Sequence, residues 1–494
     1  MPEKSLASQR LDSSTDNGYT HTNIQREIEY MKQEPTFKQW KSPTGEVLDI
    51  ALLPTVYPPR EDTYMISETL VSIGKGNGNF LEIGSGSGVV SICAARMGWN
   101  CYACDTNPFA VVSSIENANL SNASLKVAEG GPGPSPEQSK NTWWFNKQHD
   151  LILWNLPYLR VDDLPREKLG PLEESALLDN DDLGVAIRAL QKIKQHKILT
   201  RRGLIIFLLK FEDSFNIITE ANMLGFAARV DRISDLSDGD RMCIVKIWNP
   251  WIDSNRLNFE TITSTNDYAL ENLDKLGSLV TSDKQTAGKG RRKNRWSSSV
   301  NSIAATWLIA DQRNSIDPIA SQLIAGFVIS NIIKRHTSED IILKWPNDVY
   351  KFDGNTNGKI AGVLVEGKSM GNSSKVVCGI GINLHCDDIN YPFPIASLGF
   401  KGDEITSKET LISQLNAGIS SYFESRSNVN NCKTEFILSR ISETIAQGAA
   451  IAGKYTYKGS PCFVDGIDHE GRLVVIVEEN EIKVEDSDEI EWEF

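Results

Sequence analysis

The chain has 494 residues, eight cysteines and a formal charge of −14. That length suits roughly two to four domains, and the acidity runs against a nucleic-acid partner, for which a basic face is expected. No stretch is long and apolar enough to span a bilayer, no signal-peptide core opens the chain, and the scattered cysteines suit a reducing cytoplasm.

Residues 1–36 read as a polar, mobile extension with one helix near Asn23–Met31. Residues 37–250 then alternate strand and helix patterns, as a doubly wound α/β sheet would. FLEIGSGSG (Phe80–Gly88) is an apolar strand running into a glycine-rich turn, and Val89–Arg96 continues as a helix. The next strand, Asn100–Asp105, ends in an acid placed to accept hydrogen bonds from ribose hydroxyls. Cys101 and Cys104 form a CxxC inside that strand. No second pair stands at zinc spacing, so they read as core. VAEGGPGPSPEQSKN (Val127–Asn141) reads as an irregular loop. DLILWNLPY (Asp150–Tyr158) is a third buried strand with a polar–Pro–aromatic tip, and RGLIIFLLK (Arg202–Lys210) is a further one. Ligands of doubly wound sheets bind at the carboxyl ends of the strands, so the three tips converge on one crevice.

These segments, with YPPREDTYMISETL (Tyr57–Leu70) and DTNPFAV (Asp105–Val111), resemble the class-I S-adenosylmethionine methyltransferases and, within them, the HemK-type glutamine methyltransferases. The resemblance implies that Gly84, Gly86 and Gly88 wrap the methionine end of S-adenosylmethionine and that Asp105 holds its ribose. It further implies that Asn155 and the Leu156 carbonyl accept hydrogen bonds from a target amide nitrogen, on which Tyr158 stacks. The implied substrate is the GGQ glutamine of a class-I release factor, and the implied partner a small zinc-binding activator subunit. The family tip usually reads NPPY. Leu156 here keeps the carbonyl but not the fixed φ of proline. Two alternatives stay open: a non-catalytic or regulatory module of the same fold, and a nucleic-acid methyltransferase.

NPWIDSNRLN (Asn249–Asn258) reads as a linker. Beyond it, QTAGKGRRKNRW (Gln285–Trp296) combines glycines with five cations, and KWPND (Lys344–Asp348) sets a lysine, an amide and a carboxylate at a strand end. Arginine forks and lysines suit phosphate oxygens, and a carboxylate beside an amide suits Mg²⁺. With Ser264-Thr265-Asn266, GKIAGVLVE (Gly358–Glu366) and Gly379-Ile380-Gly381-Ile382-Asn383, these pieces stand in the order found in biotin–protein ligases, which this half resembles from about Leu257 onward.

That resemblance implies ATP-dependent formation of biotinyl-adenylate and transfer of biotin to a lysine of the carrier domain of an acyl-CoA carboxylase. Lys289 and Arg291 would border the biotin carboxylate and α-phosphate, and Lys359 would reach the activated centre. Asn347 and Asp348 would hold Mg²⁺. Ser264, Thr265 and Gln285 would bond the ureido ring under Trp296. Asn266, Gly288, Gly290, Arg292, Lys344, Gly362 and Asn383 complete the expected ligand contacts. The loop departs from the family's GRGRRGRxW at Lys289, Lys293 and Asn294.

Residues 257–430 are thus expected as a mixed α/β ligase domain and 447–494 as a small β-barrel, with turns at Gly471 and Asn480. Residues 454–494 carry twelve acidic and four basic side chains, a reserve of charge for solubility or for a face that closes over ATP.

Overall fold

The computed structural model describes residues 32–493 except 134–142, 158, 161–177, 180–183, 238, 294, 297–301, 313–315, 353–356, 371–372, 386–393, 400–403 and 432–433. The helix expected near Asn23–Met31 and most of the expected 127–141 loop lie outside the described residues. The chain divides into two compact units. One runs to Glu220 and resumes over Val230–Trp248, and the other takes Ala221–Arg229 with everything from Asn249.

The first unit opens with a hairpin, β1 (Thr36–Lys41) and β2 (Val47–Leu52), followed by helix α1 (Glu61–Ile73). Then come β3 (Asn79–Ile83), α2 (Val89–Arg96), β4 (Asn100–Asp105), α3 (Pro108–Leu120), β5 (Leu125–Glu129) and β6 (His149–Asn155). After α4 (Val185–Gln195) the chain forms β7 (Leu199–Lys210), α5 (Ser214–Met223), β8 (Ala227–Asp235) and β9 (Arg241–Trp248). The sheet order is β8-β9-β7-β6-β3-β4-β5. The ladders β3–β4, β3–β6, β4–β5 and β6–β7 are parallel, whereas β9 runs antiparallel to β7. Strands covered on both faces must be apolar throughout, and Leu151–Leu153 and Leu204–Leu209 are buried in unbroken runs. Val127–Glu129 belong to β5, a correction to the expected loop: pairing with Ala103–Asp105 overrides the glycine and proline that follow.

The strand order reverses at β3, which has β4 on one side and β6 on the other. This is where a doubly wound sheet opens its crevice. Buried Asn117 on α3 closes the back of it. Its Oδ1 accepts from Ala51 N at 2.7 Å, and its Nδ2 donates to Ala51 O and Ser87 O at 3.0 and 2.9 Å. One amide thereby ties the hairpin to the glycine-rich turn.

The second unit is built on a seven-stranded mixed sheet. Its strands are β10 (Arg256–Ile262), β11 (Leu279–Gln285), β14 (Ser302–Asp311), β15 (Asp340–Lys344), β16 (Asp348–Phe352), β17 (Gly358–Met370) and β18 (Ser373–Asn383). A short pair, β12 (Gly288–Lys289) and β13 (Arg295–Trp296), stands apart from that sheet. The order is β10-β11-β14-β18-β17-β16-β15, with only β10–β11 parallel. Helix α6 (Thr265–Asn272) follows β10, and α7 (Pro318–Lys334) lies nearly all-round buried. Asp317 caps α7 by accepting from Ile319 N at 2.7 Å.

Helices α8 (Glu404–Phe423) and α9 (Thr434–Ala452) lead to a five-stranded antiparallel module. Its strands are β19 (Lys454–Tyr457), β20 (Ser460–Ile467), β21 (Leu473–Val477), β22 (Asn480–Val484) and β23 (Ile490–Glu493). The order β22-β21-β20-β19-β23 leaves the outer strands without a shared ladder among the described residues. Asn480 is the first residue of β22 rather than a turn residue. The turn is Glu478-Glu479, at φ 47° and 70°, the left-handed pair that a two-residue hairpin requires. Trp345 Nε1 donates to Gly471 O at 2.9 Å, docking the module against the strand end that carries KWPND.

Candidate functional site

The second unit holds a cavity of about 690 Å³. Ser264 caps α6, accepting from Asp267 N at 3.3 Å. The cap places Thr265 and Asn266 in the first turn, with both side chains buried. Gln285 ends β11, the parallel neighbour of β10, and so returns to the same edge. Its Oε1 accepts from Thr265 N at 2.8 Å and from Thr265 Oγ1 at 3.1 Å. With that oxygen engaged, the Gln285 Nε2 end is the donor left for a ligand.

Behind this pair stands Thr306 of β14, fully buried, its Oγ1 2.8 Å from Thr265 Oγ1 and 2.7 Å from Asn266 Oδ1. Asn266 Nδ2 donates to Glu366 Oε2 at 2.7 Å. Glycine is required alongside: a Cβ on Gly379 would fall 2.1 Å from Asn266 Oδ1, and one on Gly381 2.5 Å from the Trp296 ring. The Trp296 indole nitrogen is buried with no hydrogen-bond partner.

Cations ring the other side. Lys359 lies 2.6 Å from Asp348 and over the Trp296 ring at 5.8 Å. Lys344 sits 5.1 and 5.3 Å from the Tyr350 and Trp492 ring centres. Burial pulls its pKa down to about 8, with Lys359 adding to the effect and Asp348 opposing it. Burial, helped by neighbouring Arg292, also lowers Arg291. Lys289 pairs with Asp267, which raises its pKa, and stands 3.9 Å from Glu366. Arg292 occupies a left-handed turn at φ 54° and pairs with Asp486 and Asp488 of the C-terminal module. Ser487, Asp488, Ile490 and Trp492 of that module line the cavity. Glu478, Glu481 and Glu485 are among its exposed acids, whereas Asp468 and Glu489 are half-buried.

The first unit holds a cavity of about 380 Å³ at the carboxyl ends of β3, β4, β5 and β6. Gly84 and Gly86 turn at φ 68° and 53°, backbone angles that suit glycine. The Asp105 carboxylate accepts from Gly86 N and Asn107 N, both at 2.9 Å. Burial raises the Asp105 pKa against the hydrogen bonds from the Gly86, Asn107 and Thr106 amides. Asn155 donates from Nδ2 to Asp62 Oδ2 at 2.8 Å, while its Oδ1 is buried with no hydrogen-bond partner. Glu82 also lines this cavity. Burial pushes its pKa up to about 8 although Ser91 donates to it through N and Oγ.

Most of the expected site residues meet in these two cavities. Ser264, Thr265, Asn266, Gln285, Lys289, Gly290, Arg291, Arg292, Trp296, Lys344, Asn347, Asp348, Lys359 and Gly362 line the first. Gly84, Gly86, Asp105 and Asn155 line the second. Three expected contacts stand outside both linings. Gly88 is not in the lining; a Cβ on it would meet Ser114 Cα at 2.9 Å, so it serves helix packing. Gly288 pairs with Trp296 across β12–β13, where a Cβ would lie 2.7 Å from Trp296 O. Asn383 turns away and donates to Lys359 O and Ala396 O at 3.3 and 3.4 Å, bracing the strand that carries Lys359.

Tyr158 lies outside the described residues. Asn347 offers its Nδ2 to Val363 O at 2.8 Å, so its amide is already partly spent on the turn. Cys101 and Cys104 are buried free thiols, both with raised pKa, as core cysteines are. His336 bonds Gln414 at 2.7 Å.

Comparison with known proteins divides the chain in the same two places. Residues 258–383 match the biotin/lipoate A/B protein ligase family, and residues 61–156 match the ribosomal protein L11 methyltransferase (PrmA) family. The bifunctional ligase/repressor BirA of Salmonella typhimurium is 32% identical over 130 residues, 25% of this chain and 38% of that protein. A provisionally named protein N5-glutamine methyltransferase of Methanocaldococcus jannaschii is 35% identical over 119 residues, 24% of this chain and 55% of that protein. A biotin protein ligase of Aquifex aeolicus, solved with biotin and ATP, covers 48% of this chain and 97% of its own at 21% identity and a TM-score of 0.38. The chain therefore spans about two fifths of the length of the ligase/repressor it matches. The second unit contains a biotin/lipoate ligase domain, and the first contains a methyltransferase-like region.

Proposed function

We propose that the second unit condenses biotin with ATP to biotinyl-adenylate and passes the biotinyl group to a lysine of a biotin carboxyl carrier domain. The observation that carries this is one cavity with two chemistries. An amide and hydroxyl cluster around Gln285 and Thr265 faces an apolar indole, and Arg291, Lys344 and Lys359 stand opposite. A buried ureido ring needs hydrogen-bond partners for all its polar atoms. Attack of a carboxylate on an α-phosphate needs cations where negative charge gathers.

Among the described residues no three His, Cys, Asp or Glu side chains stand together as metal ligands. Asp348 fits a Mg²⁺ that arrives on the triphosphate and keeps most of its own oxygens, whereas Asp488, which also lines the cavity, is paired with Arg292. Biotin-dependent exchange of labelled pyrophosphate into ATP tests the first step. Exchange that ignores biotin, or none with the full chain, contradicts it.

For the first unit we infer methyl transfer from S-adenosylmethionine to a protein nitrogen, with a glutamine amide of the release-factor GGQ kind as the favoured target. Its chief support is the unpartnered Asn155 Oδ1 beside a glycine turn and an acid at the end of β4. The M. jannaschii relative, by its name, acts on glutamine. Positioning an amide nitrogen against a methyl sulfonium is mostly an orientation problem. Incubation of the full chain with labelled S-adenosylmethionine and a GGQ peptide should label the glutamine. Labelling of nucleic acid instead would overturn the choice of target.

A further inference from the structure

Asn155 closes β6 at the crevice, and its two amide atoms have different fates. Nδ2 donates to Asp62 Oδ2 at 2.8 Å, whereas Oδ1 is buried in the cavity lining with no hydrogen-bond partner. Asp62 comes from the first turn of α1 and is itself pinned. Its Oδ1 accepts from Thr63 N at 2.6 Å and from Thr63 Oγ1 at 3.3 Å. An ionised carboxylate only accepts hydrogen bonds, whereas an asparagine amide has a donor end and an acceptor end. Asp62 therefore admits just one orientation of Asn155, with NH₂ toward itself and Oδ1 toward the crevice. A carboxylate at the first turn of a helix is also favoured by the helix dipole.

We infer that Asp62 is the positioning residue that sets the polarity of the methyl-acceptor pocket, so that the acceptor must enter as a hydrogen-bond donor, which an amide or amine N–H satisfies. This inference rests on the methyltransferase reading of the first unit. With Asn155 flipped, its NH₂ would face the N–H of the acceptor and repel it. A carboxylate or a ring nitrogen lacking hydrogen cannot satisfy the Oδ1 left in the pocket, and burying it unpaired is costly.

The test uses the full chain loaded with S-adenosylhomocysteine and ¹⁵N-asparagine labelling. The Asn155 side-chain NH₂ signal is assigned by its loss in Asn155→Asp. In the parent chain one of its protons should exchange slowly, and Asp62→Ala should speed that exchange at least tenfold with S-adenosylhomocysteine affinity held within threefold. Exchange that ignores Asp62 overturns the proposal.

The second readout is turnover of a GGQ peptide. Asp62→Asn should lower kcat at least tenfold with the KM for S-adenosylmethionine little changed. The swapped pair Asp62→Asn with Asn155→Asp restores a donor–acceptor match, and it should exceed Asn155→Asp alone at least tenfold. A double variant no better than the single one contradicts the inference. If the parent chain leaves the peptide unmethylated, the glutamine target is wrong, and the exchange measurement still decides the role of Asp62.

Discussion

The two cavities are built by different means. In the ligase-like unit the work falls to side chains: Lys289, Arg291, Lys344 and Lys359 line one space, where Lys289 and Lys359 meet carboxylates, Lys344 meets aromatic rings and Arg291 is half-buried. In the methyltransferase-like unit the work falls to backbone. Gly84 and Gly86 turn the chain, Asp105 is held by two amides, and one asparagine oxygen waits for a partner. A triphosphate carries several charges that must be neutralised as bonds change, so long cationic side chains suit it. A sulfonium cofactor brings its own positive charge, and its site needs shape and acceptors instead. Substitutions should therefore fail differently in the two cavities.

The largest effect is expected at Lys359. Lys359→Ala removes a cation that meets both Asp348 and the Trp296 ring. It should lower biotin-dependent pyrophosphate exchange by about 10²–10³-fold, the usual loss when one oriented charge at a reacting centre is removed. Retained exchange would break the assignment of activating chemistry to side chains.

Asp105→Ala comes next. Its carboxylate organises the Gly86 and Asn107 amides, so S-adenosylhomocysteine affinity should fall by roughly tenfold or more, about the worth of one hydrogen bond to a charged group. Biotin-dependent exchange should be untouched. Calorimetry and the exchange assay on one preparation check both halves.

Thr306→Val keeps the shape and deletes the hydroxyl that supports Thr265 and Asn266. An unsatisfied buried acceptor costs about 1–3 kcal/mol. The KM for biotin should therefore rise by about tenfold while that for ATP stays level.

A smaller effect concerns pH. Burial sets Lys344 at about 8, below the usual lysine range, so it is charged at neutral pH and loses its proton as pH rises through 8. The KM for ATP should rise several-fold from pH 7 to pH 9. Lys344→Arg, charged throughout, should flatten that rise. The linked stability has the opposite sign. Between pH 8 and the unfolded lysine pKa the unfolded chain binds more protons, so the Lys344 contribution grows more favourable as pH increases.

What was legible in the sequence was what lies close together along the chain. The glycine turn after Phe80, the KWPND strand end and the loop of Gln285–Trp296 each carry their chemistry within a dozen residues. What escaped joins distant positions. Thr306 is 40 residues from Asn266 but 2.7 Å away in space, and Asp62 is 93 residues from Asn155 but 2.8 Å away. Nothing in the sequence around Thr306 marks it as other than a strand hydroxyl. Glu82 left a fainter signal, an acid inside an otherwise apolar strand. Asp486 and Asp488 were visible only as part of an acidic tail, and the fold singles them out by bringing Arg292 to them. Three expected glycine and asparagine contacts stand outside the cavity linings for a related reason. Gly88, Gly288 and Asn383 sit in motifs because neighbouring chain segments need them there, as the close approaches and backbone hydrogen bonds around them demonstrate.

The most direct test of two separate active sites is a calorimetric titration of the full chain with S-adenosylhomocysteine, followed on the same sample by biotin with a non-hydrolysable ATP analogue. One S-adenosylhomocysteine should bind per chain. Asp105→Ala should weaken that binding by roughly tenfold or more and leave the biotin titration unchanged. An absence of S-adenosylhomocysteine binding, or a loss of both titrations in Asp105→Ala, would contradict the account.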